Sequence, residues 1–213
     1  MNKVNYDAQF CNIVGGLDGK KRLLLHACCA PCSSSVLERV TPFFDVTLFF
    51  YNPNITDEAE YFKRLNELER FSAIVYGGQV KIVDGGFSRQ AFAVAAAGLE
   101  SEPERGKRCT VCYNMRLEKT AYKSISDGFD YFCTTLTLSP HKDADRINAL
   151  GYALERSTGA RYLPSDFKKR GGYVRSIRLS EKYGLYRQNF CGCEFSKRDN
   201  ACRAAGEQSV CLR

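Results

Sequence analysis

The chain has 213 residues, of which 44% are hydrophobic and 26% charged, proportions typical of a globular protein rather than a disordered or fibrous one. Its longest apolar runs, such as residues 46–51, are too short to cross a bilayer. Residues 1–19 lack the apolar core of a secretory signal. We therefore expect a cytoplasmic protein that makes no contact with a membrane.

Charge and cysteine content narrow the possible functions. The formal net charge is +7, and the chain holds 11 cysteines but only 2 histidines. An odd number of cysteines cannot pair completely, and a reducing compartment disfavours disulfides. The composition therefore favours a metal site or a reactive thiol over a disulfide framework.

Short apolar runs alternate with helix-like segments along the chain. The runs predict strands at residues 22–26, 45–51, 79–83, 130–136 and 161–163. The intervening segments predict a helix capped near residues 32–34 and helices over residues 57–76, 87–97, 109–127 and 143–158.

This alternation predicts an α/β fold with a five-stranded, mainly parallel, Rossmann-like sheet of the kind found in ATP pyrophosphatases, with helices on both faces. We expect one catalytic domain over residues 20–195, which ends in a basic C-terminal extension. An N-terminal extension (residues 1–19) would precede this domain, and a loose polar tail (residues 196–213) would follow it.

Five cysteines fall at the positions where a parallel sheet holds ligands. Cys28, Cys29 and Cys32 follow the first predicted strand, and ligands bind beyond the carboxyl ends of such strands. Cys109 and Cys112 lie three residues apart in the first turn of a predicted helix, so their sulfurs face the same way. The helix N-terminus and the preceding basic residues are expected to lower both thiol pKa values.

The spacing of these cysteines suits more than one metal. Cys29/Cys32 and Cys109/Cys112 formally match the two knuckles of a zinc ribbon. The adjacent pair Cys28–Cys29 suits a larger iron–sulfur cluster better, because neighbouring residues seldom aim at one small ion. Iron–sulfur is favoured, and structural zinc or a catalytic thiol stays open.

The remaining cysteines divide into one close pair and four scattered residues. Cys191 and Cys193 flank one glycine, and such a pair either supplies metal ligands or forms a strained, easily reduced disulfide. The scattered residues are expected to be structural: Cys11, Cys133, Cys202 and Cys211.

Residues 166–190 carry seven basic and two acidic side chains with interleaved tyrosines. Such a stretch is typical of segments that hold unpaired RNA, with phosphates on cations and bases on rings. The alternative is a solvated helix face on which long cationic stems cover apolar surface. The candidate RNA-binding residues are Lys168, Lys169, Arg170, Arg175, Arg178 and Arg187.

The first strand of tRNA-modifying ATP pyrophosphatases leads into a Ser-Gly-Gly-x-Asp-Ser phosphate loop. Here residues 26–35 (HACCAPCSSS) contain no glycine. The backbone N–H cradle for phosphate is therefore not expected, and neither is ATP use.

Seven motifs occur in an order that resembles the cobalamin-independent epoxyqueuosine reductases of the QueH type. They are residues 26–32 (HACCAPC), 51–55 (YNPNI), 108–113 (RCTVCY), 134–141 (TTLTLSPH), 167–172 (FKKRGG), 176–180 (SIRLS) and 186–193 (YRQNFCGC). The resemblance covers about residues 20–195.

The resemblance implies reduction of epoxyqueuosine to queuosine at the wobble base of tRNAs with GUN anticodons, those for Tyr, His, Asn and Asp. An external electron donor would be required. It also implies a [4Fe-4S] cluster held by Cys28, Cys29, Cys109 and Cys112. Cys32, Cys191 and Cys193 would hold an adjacent mononuclear iron, or the last two would form a redox-active pair.

Epoxide deoxygenation needs two electrons and two protons, and three residues are candidate proton donors: Asp166, Tyr186 and His141. Two other functions compete with the reductase. One is a cluster-dependent tRNA thiolase that uses ATP, and the other is a zinc-stabilised RNA-binding module without catalysis.

Overall fold

The structure is a computed structural model that describes residues 4–204. Its strands are β1 (Lys21–His26), β2 (Phe44–Phe50), β3 (Lys81–Asp84) and β4 (Tyr131–Thr134). The α-helices of this part of the chain are α1 (Tyr6–Gly15), α2 (Ala30–Val40), α3 (Glu58–Tyr76), α4 (Arg89–Ala96), α5 (Lys107–Ser126), α6 (Ala144–Thr158), α7 (Gly172–Lys182) and α8 (Glu194–Ala204). A short 3-10 helix, Thr135–Leu138, follows β4 directly.

The four strands form one parallel sheet in the order β3-β2-β1-β4. The chain first builds outward from β1 through β2 to β3, and it then crosses to the other side of β1 to add β4. Loops at the carboxyl ends of β1 and β4 therefore diverge, which opens a crevice between them. The cysteines that follow β1 lie at this crevice.

The predicted fifth strand is wrong. Residues 161–163 make only a single parallel bridge, between Tyr162 and Phe132. Gly159 ends α6 two residues earlier, and Pro164 has no N–H to continue a ladder. The segment is too short between these two limits to form a strand, so the sheet has four strands.

Helices cover both faces of the sheet, as the alternation predicts. Tyr131 and Cys133 join a core cluster that contains residues of α2 and α3, including Leu37 and Leu68. Phe132, which points the opposite way, joins a second cluster with residues of α5 and α6.

A helix lies in each of the two predicted flanking segments, within the residues that the structure describes. Helix α1, in the predicted extension, buries Phe10 and Val14 in the core. Helix α8 extends into the segment predicted to be a loose tail and ends at Ala204. The side chain of Cys202 and all of Cys211 lie outside the described part of the chain. No helix within residues 4–204 is both long enough and apolar enough to span a membrane.

Asp7 links α1 to two distant segments. Its carboxylate accepts hydrogen bonds from Arg39 Nη2 on α2 and from Arg170 Nε before α7, both at 2.8 Å. Burial alone raises the pKa of Asp7, but the two guanidinium groups lower it below the ordinary 3.8. Arg170, a candidate RNA-binding residue, is therefore held in an ion pair.

We expect Asp7→Asn to lower the free energy of unfolding of the metal-free protein by about 2 kcal/mol, less than for a fully buried ion pair. Because the folded pKa is lowered, the stabilisation is complete above the unfolded pKa of 3.8 and is lost as pH falls through the folded value. Urea unfolding at about pH 7 and about pH 3 measures this. If the difference in unfolding free energy between the parent protein and Asp7→Asn does not shrink at low pH, the prediction is contradicted.

Candidate metal and redox site

Three loops at the carboxyl edge of the sheet are tied together by hydrogen bonds. Asn52, after β2, donates from Nδ2 to the Ala27 carbonyl at 2.9 Å. The backbone N–H of Cys28, after β1, donates to Thr135 Oγ1 after β4 at 3.3 Å. The strand ends therefore fix the backbone from which the cysteines project.

Cys28, Cys29 and Cys32 bring their sulfurs together at this edge. All three Sγ atoms lie within 4.8 Å of one another, and those of Cys28 and Cys29 are 3.8 Å apart. Helix α2 begins earlier than predicted, because the extended Cys29 is its N-cap and Pro31 lies in its first turn. This start places Cys32 on the first turn, beside the two preceding thiols.

One thiolate is favoured within this trio. Hydrogen bonds from the thiols of Cys29 and Cys32 lower the pKa of Cys28 well below its ordinary value. The thiol hydrogen bond to Cys28 in turn raises the pKa of Cys29, to about 12. The trio therefore favours a thiolate at Cys28 beside two further soft donors, an arrangement that suits a thiophilic metal.

Cys109 and Cys112 project from the first turns of α5, as predicted. The N-cap of α5 is Gly106, and neither this residue nor the N-cap of α2 supplies a side-chain cap. The N–H of Arg105 donates to Cys109 Sγ at 3.2 Å. Two helix N-termini thus lie next to the cysteine sulfurs.

The predicted lowering of the pKa values of Cys109 and Cys112 is wrong for the metal-free thiols. Burial raises the pKa of both, and the neighbouring charges of Arg108 and Arg116 offset this only in part. Desolvation dominates because Cys112 is 6% exposed and packs in a small core with Phe92 and Phe195.

Arg116 is a buried cation beside these thiols. Its Nη2 donates to Cys112 Sγ at 3.1 Å and its Nη1 to Asn52 Oδ1 at 3.3 Å. The residue is 2% exposed, so its charge acts in a region of low dielectric. It stabilises negative charge on the sulfurs and joins α5 to the loop after β2.

The loop that holds Cys191 and Cys193 is anchored from the β2 side. Asn54 Nδ2 donates to the Cys191 carbonyl at 3.0 Å, and Arg64 Nη1 donates to the same carbonyl at 3.2 Å. Gly192, which lies between Cys191 and Cys193, has φ 113°, and a Cβ on it would lie 2.7 Å from Ile55 Cγ1. Only glycine fits, and the two sulfurs come to 3.5 Å.

The two thiols of this loop are unequal. A hydrogen bond from the Cys193 thiol lowers the pKa of Cys191 well below its ordinary value, and the pKa of Cys193 is raised by the same bond. Cys191 is the thiolate of the pair and lines both cavities of the site.

The seven candidate cysteines line two adjoining cavities. The larger, of about 240 Å³, is lined by Cys28, Cys29, Cys32 and Cys191. The smaller is lined by Cys109, Cys112, Cys191 and Cys193. The residues common to both are Glu104, Arg116, His141, Lys142 and Cys191.

The candidate proton donors lie in different surroundings. His141 lines both cavities, although it is exposed and its Nδ1 lies 3.4 Å from Arg105 Nη2. Asp166 pairs with Lys168 at 2.5 Å, and the Tyr186 hydroxyl donates to the Glu60 carboxylate at 3.2 Å. Neither of these two lines either cavity.

The six candidate RNA-binding residues differ in whether their charges are already paired within the protein. Lys168, Arg170 and Arg175 are held by Asp166, Asp7 and Glu38 respectively. Arg187 lines the larger cavity and donates to Ser180 Oγ. Lys169 and Arg178 are exposed, and the described residues give them no ion pair.

Sequence reasoning missed Arg116 and Lys142. Arg116 follows Cys112 by four residues in a helix, so the spacing alone places both on one face. Lys142 follows the motif that ends at His141. Burial by itself would lower the pKa of Lys142, but the nearby Cys28 and Cys32 raise it well above its ordinary value.

Three further residues, one histidine and two cysteines, lie outside the two cavities. His26 is fully buried, with Nδ1 2.9 Å from Thr134 Oγ1, and burial lowers its pKa to about 3. It is therefore a neutral scaffold residue. Cys133 is buried in the sheet and donates to the Leu163 carbonyl, as a structural cysteine would. Cys11 contacts Arg170 at 3.2 Å, away from the cavities.

Comparison with known proteins identifies the family. A family model described as epoxyqueuosine reductase QueH matches residues 23–199. A relative of that name from Streptococcus pyogenes is 40% identical, over 91% of this chain and 78% of its own. Those from Staphylococcus epidermidis and Thermotoga maritima are 42% and 35% identical, over 91% and 82% of this chain and 85% and 89% of their own. The chain therefore belongs to the QueH family of epoxyqueuosine reductases.

Proposed function

We propose that this protein reduces epoxyqueuosine to queuosine at the wobble position of tRNA, the last step of queuosine biosynthesis. The reaction removes the epoxide oxygen as water and uses two electrons and two protons. The observation that carries the proposal is the gathering of seven cysteines around two adjoining cavities in a chain of this family. We place the reaction in the cytoplasm.

The donor set fits an iron–sulfur cluster. Cys28, Cys29, Cys109 and Cys112 would hold a [4Fe-4S] cluster, the first two from the larger cavity and the last two from the smaller. The soft sulfur donors, the buried Arg116 and the half-buried Lys142 suit its thiolate ligands and negative charge. When bound, the cluster supplies electrons one at a time to the substrate. The protein holds the cysteines in place, and Arg116 and Lys142 stabilise the added negative charge.

Protons must reach the oxygen that leaves. His141 is the candidate donor whose ring lines the cavities, and it therefore replaces Asp166 and Tyr186 as the first residue to test. Its imidazole would deliver a proton at the cavity mouth, where exchange with water is possible.

Cys32, Cys191 and Cys193 would hold a mononuclear iron next to the cluster. We expect Cys191→Ser and Cys193→Ser each to lose about one iron per chain while they keep the cluster absorbance near 400 nm. Iron analysis after anaerobic purification measures the loss. If iron stays constant and reduction exposes two more titratable thiols in the parent protein alone, the pair is a redox dithiol instead.

The tRNA would approach over the mouth of the larger cavity, past Arg187 and the exposed side of α7. The wobble base lies in a single-stranded loop, so its exposure to the cavity costs little stacking energy. The expected substrates are the tRNAs for Tyr, His, Asn and Asp, and the electrons would come from an external donor.

We expect Lys169→Ala and Arg178→Ala each to weaken tRNA binding and to reduce the slope of log affinity against log salt by about 0.7 to 0.9, the value for one lost phosphate contact. Arg175→Ala is the matched control, because its guanidinium already pairs with Glu38 at 2.7 Å. Binding titrations over a range of salt concentrations measure the slopes. Equal slopes in the parent protein and all three variants would refute a tRNA-binding role for Lys169 and Arg178.

The function itself is tested by anaerobic purification and single-turnover assays on tRNA that carries epoxyqueuosine. We expect a brown protein with about four or more irons per chain and conversion to queuosine in the presence of a chemical reductant. A colourless protein with zinc and no turnover would favour an RNA-binding module. ATP hydrolysis stimulated by tRNA would favour a thiolase.

A further inference from the structure

Gln188 has an unsatisfied amide oxygen in the wall of the larger cavity. The residue lines that cavity, and its Oε1 is buried without a hydrogen-bond partner in the protein. A buried amide oxygen without a partner is destabilising, so such a group in a cavity wall indicates a ligand that donates to it.

The orientation of the amide is set by its neighbour. The Gln188 amide makes a side-chain hydrogen bond to the Cys29 sulfur. A nitrogen that faces the sulfur leaves the oxygen as the group offered to a ligand. The acceptor is therefore next to the cysteine trio, at the end of the cavity where reduction would occur.

The backbone on both sides of Gln188 is anchored. The Tyr186 N–H donates to Glu67 Oε1 at 2.7 Å, and Arg64 donates to the carbonyls of Phe190 and Cys191 at 3.3 and 3.2 Å. The amide is thus preorganised, since little order must be gained when a ligand binds.

We propose that Gln188 Oε1 accepts a hydrogen bond from a hydroxyl group on the five-membered ring of the substrate, and so positions that ring beside the cysteines. This inference rests on the proposed function. The substrate offers two kinds of donor near the reacting carbon atoms, the ring hydroxyls and the amine of the linker to the base. The hydroxyls are on the ring that is reduced, and therefore meet an acceptor that adjoins Cys29.

The test compares binding of two tRNAs that share the linker amine and differ in the ring. One carries queuosine, the reaction product, and the other carries 7-aminomethyl-7-deazaguanine, which has no ring. We expect the parent protein to prefer queuosine tRNA and Gln188→Met to lose about 10-fold of that preference, the size of one buried hydrogen bond. Gln188→Glu, which keeps an acceptor oxygen, should retain it.

Gln79→Met is the matched control, because Gln79 is exposed before β3, at the opposite edge of the sheet. If Gln188→Met does not fold, as judged by thermal unfolding, Gln188→Ala takes its place. Iron content is measured in every variant. A variant that keeps iron and the full preference overturns the inference, and so does one that loses iron, because the amide would then serve the metal.

Failure of the inference and failure of the proposed function give different results. If the function is wrong, the parent protein does not convert epoxyqueuosine tRNA. If only the role of Gln188 is wrong, the parent protein converts it and Gln188→Met keeps the same KM and the same preference between the two tRNAs. An increase in KM with kcat unchanged supports a binding role for the amide.

Discussion

Cys28→Ala is expected to abolish turnover while the protein stays folded. The Cys28 thiolate is stabilised by two neighbouring thiols and by the Thr135 hydroxyl 3.5 Å from its sulfur. Loss of this donor should remove bound iron and lower kcat/KM by more than about 100-fold, because changes one shell further from a metal already cost about 10- to 100-fold. Iron analysis, absorbance near 400 nm and single-turnover assays measure the effect.

Cys133→Ala is the matched control for this substitution. Cys133 is also a buried free cysteine, but its sulfur faces Leu163 and not the cavities. We expect both variants to lose about 1 kcal/mol of unfolding free energy, and only Cys28→Ala to lose iron and turnover. If Cys28→Ala unfolds the protein and Cys133→Ala does not, a structural zinc site becomes the better interpretation.

Arg116→Met should shift the cluster reduction potential to more negative values and reduce turnover by about 10- to 100-fold. Methionine keeps much of the side-chain volume but removes the cation that contacts Cys112 Sγ. Because a nearby positive charge favours the more negative, reduced form of a cluster, its loss makes reduction harder. The substitution also leaves Asn52 Oδ1 without its donor. A redox titration followed by absorbance measures the potential.

Two variants separate charge from hydrogen bonding at this position. Arg116→Lys keeps a positive charge but not the planar fork, so it should restore much of the potential and less of the turnover. Arg39→Met removes a largely buried arginine far from the cysteines, where it pairs with Asp7. It should cost stability and leave the potential unchanged. Equal potentials in Arg116→Met and the parent protein would refute the electrostatic role.

The strand and helix patterns were predicted well where one segment buries a continuous face. Helix α3, for example, begins one residue after the predicted position because Asp57 caps it through Glu60 N–H. The fifth strand was wrong because periodicity over three residues carries little information, and the bridge at Tyr162 depends on the neighbouring strand.

The cysteine positions could be predicted because parallel strands all end at one edge of the sheet. The pKa values of these cysteines could not be predicted from the sequence. The burial of Cys112, which raises its pKa, depends on α4 and on Phe195 from the far end of the chain. The ion pairs of the basic segment could not be predicted from the sequence either. Glu38 and Asp7, which neutralise Arg175 and Arg170, are more than 100 residues away in sequence. Only the fold brings them together.

The N-terminus of α2 has a consequence for engineering the protein, because its N-cap supplies no side-chain hydrogen bond. The backbone dipole of this helix supplies positive potential beside the cysteine sulfurs, and no change in pH titrates it. One residue inserted before Ala30 would turn α2 by about 100° about its own axis. The dipole would still lie along that axis, but Cys32 would leave the face on which it meets Cys28 and Cys29.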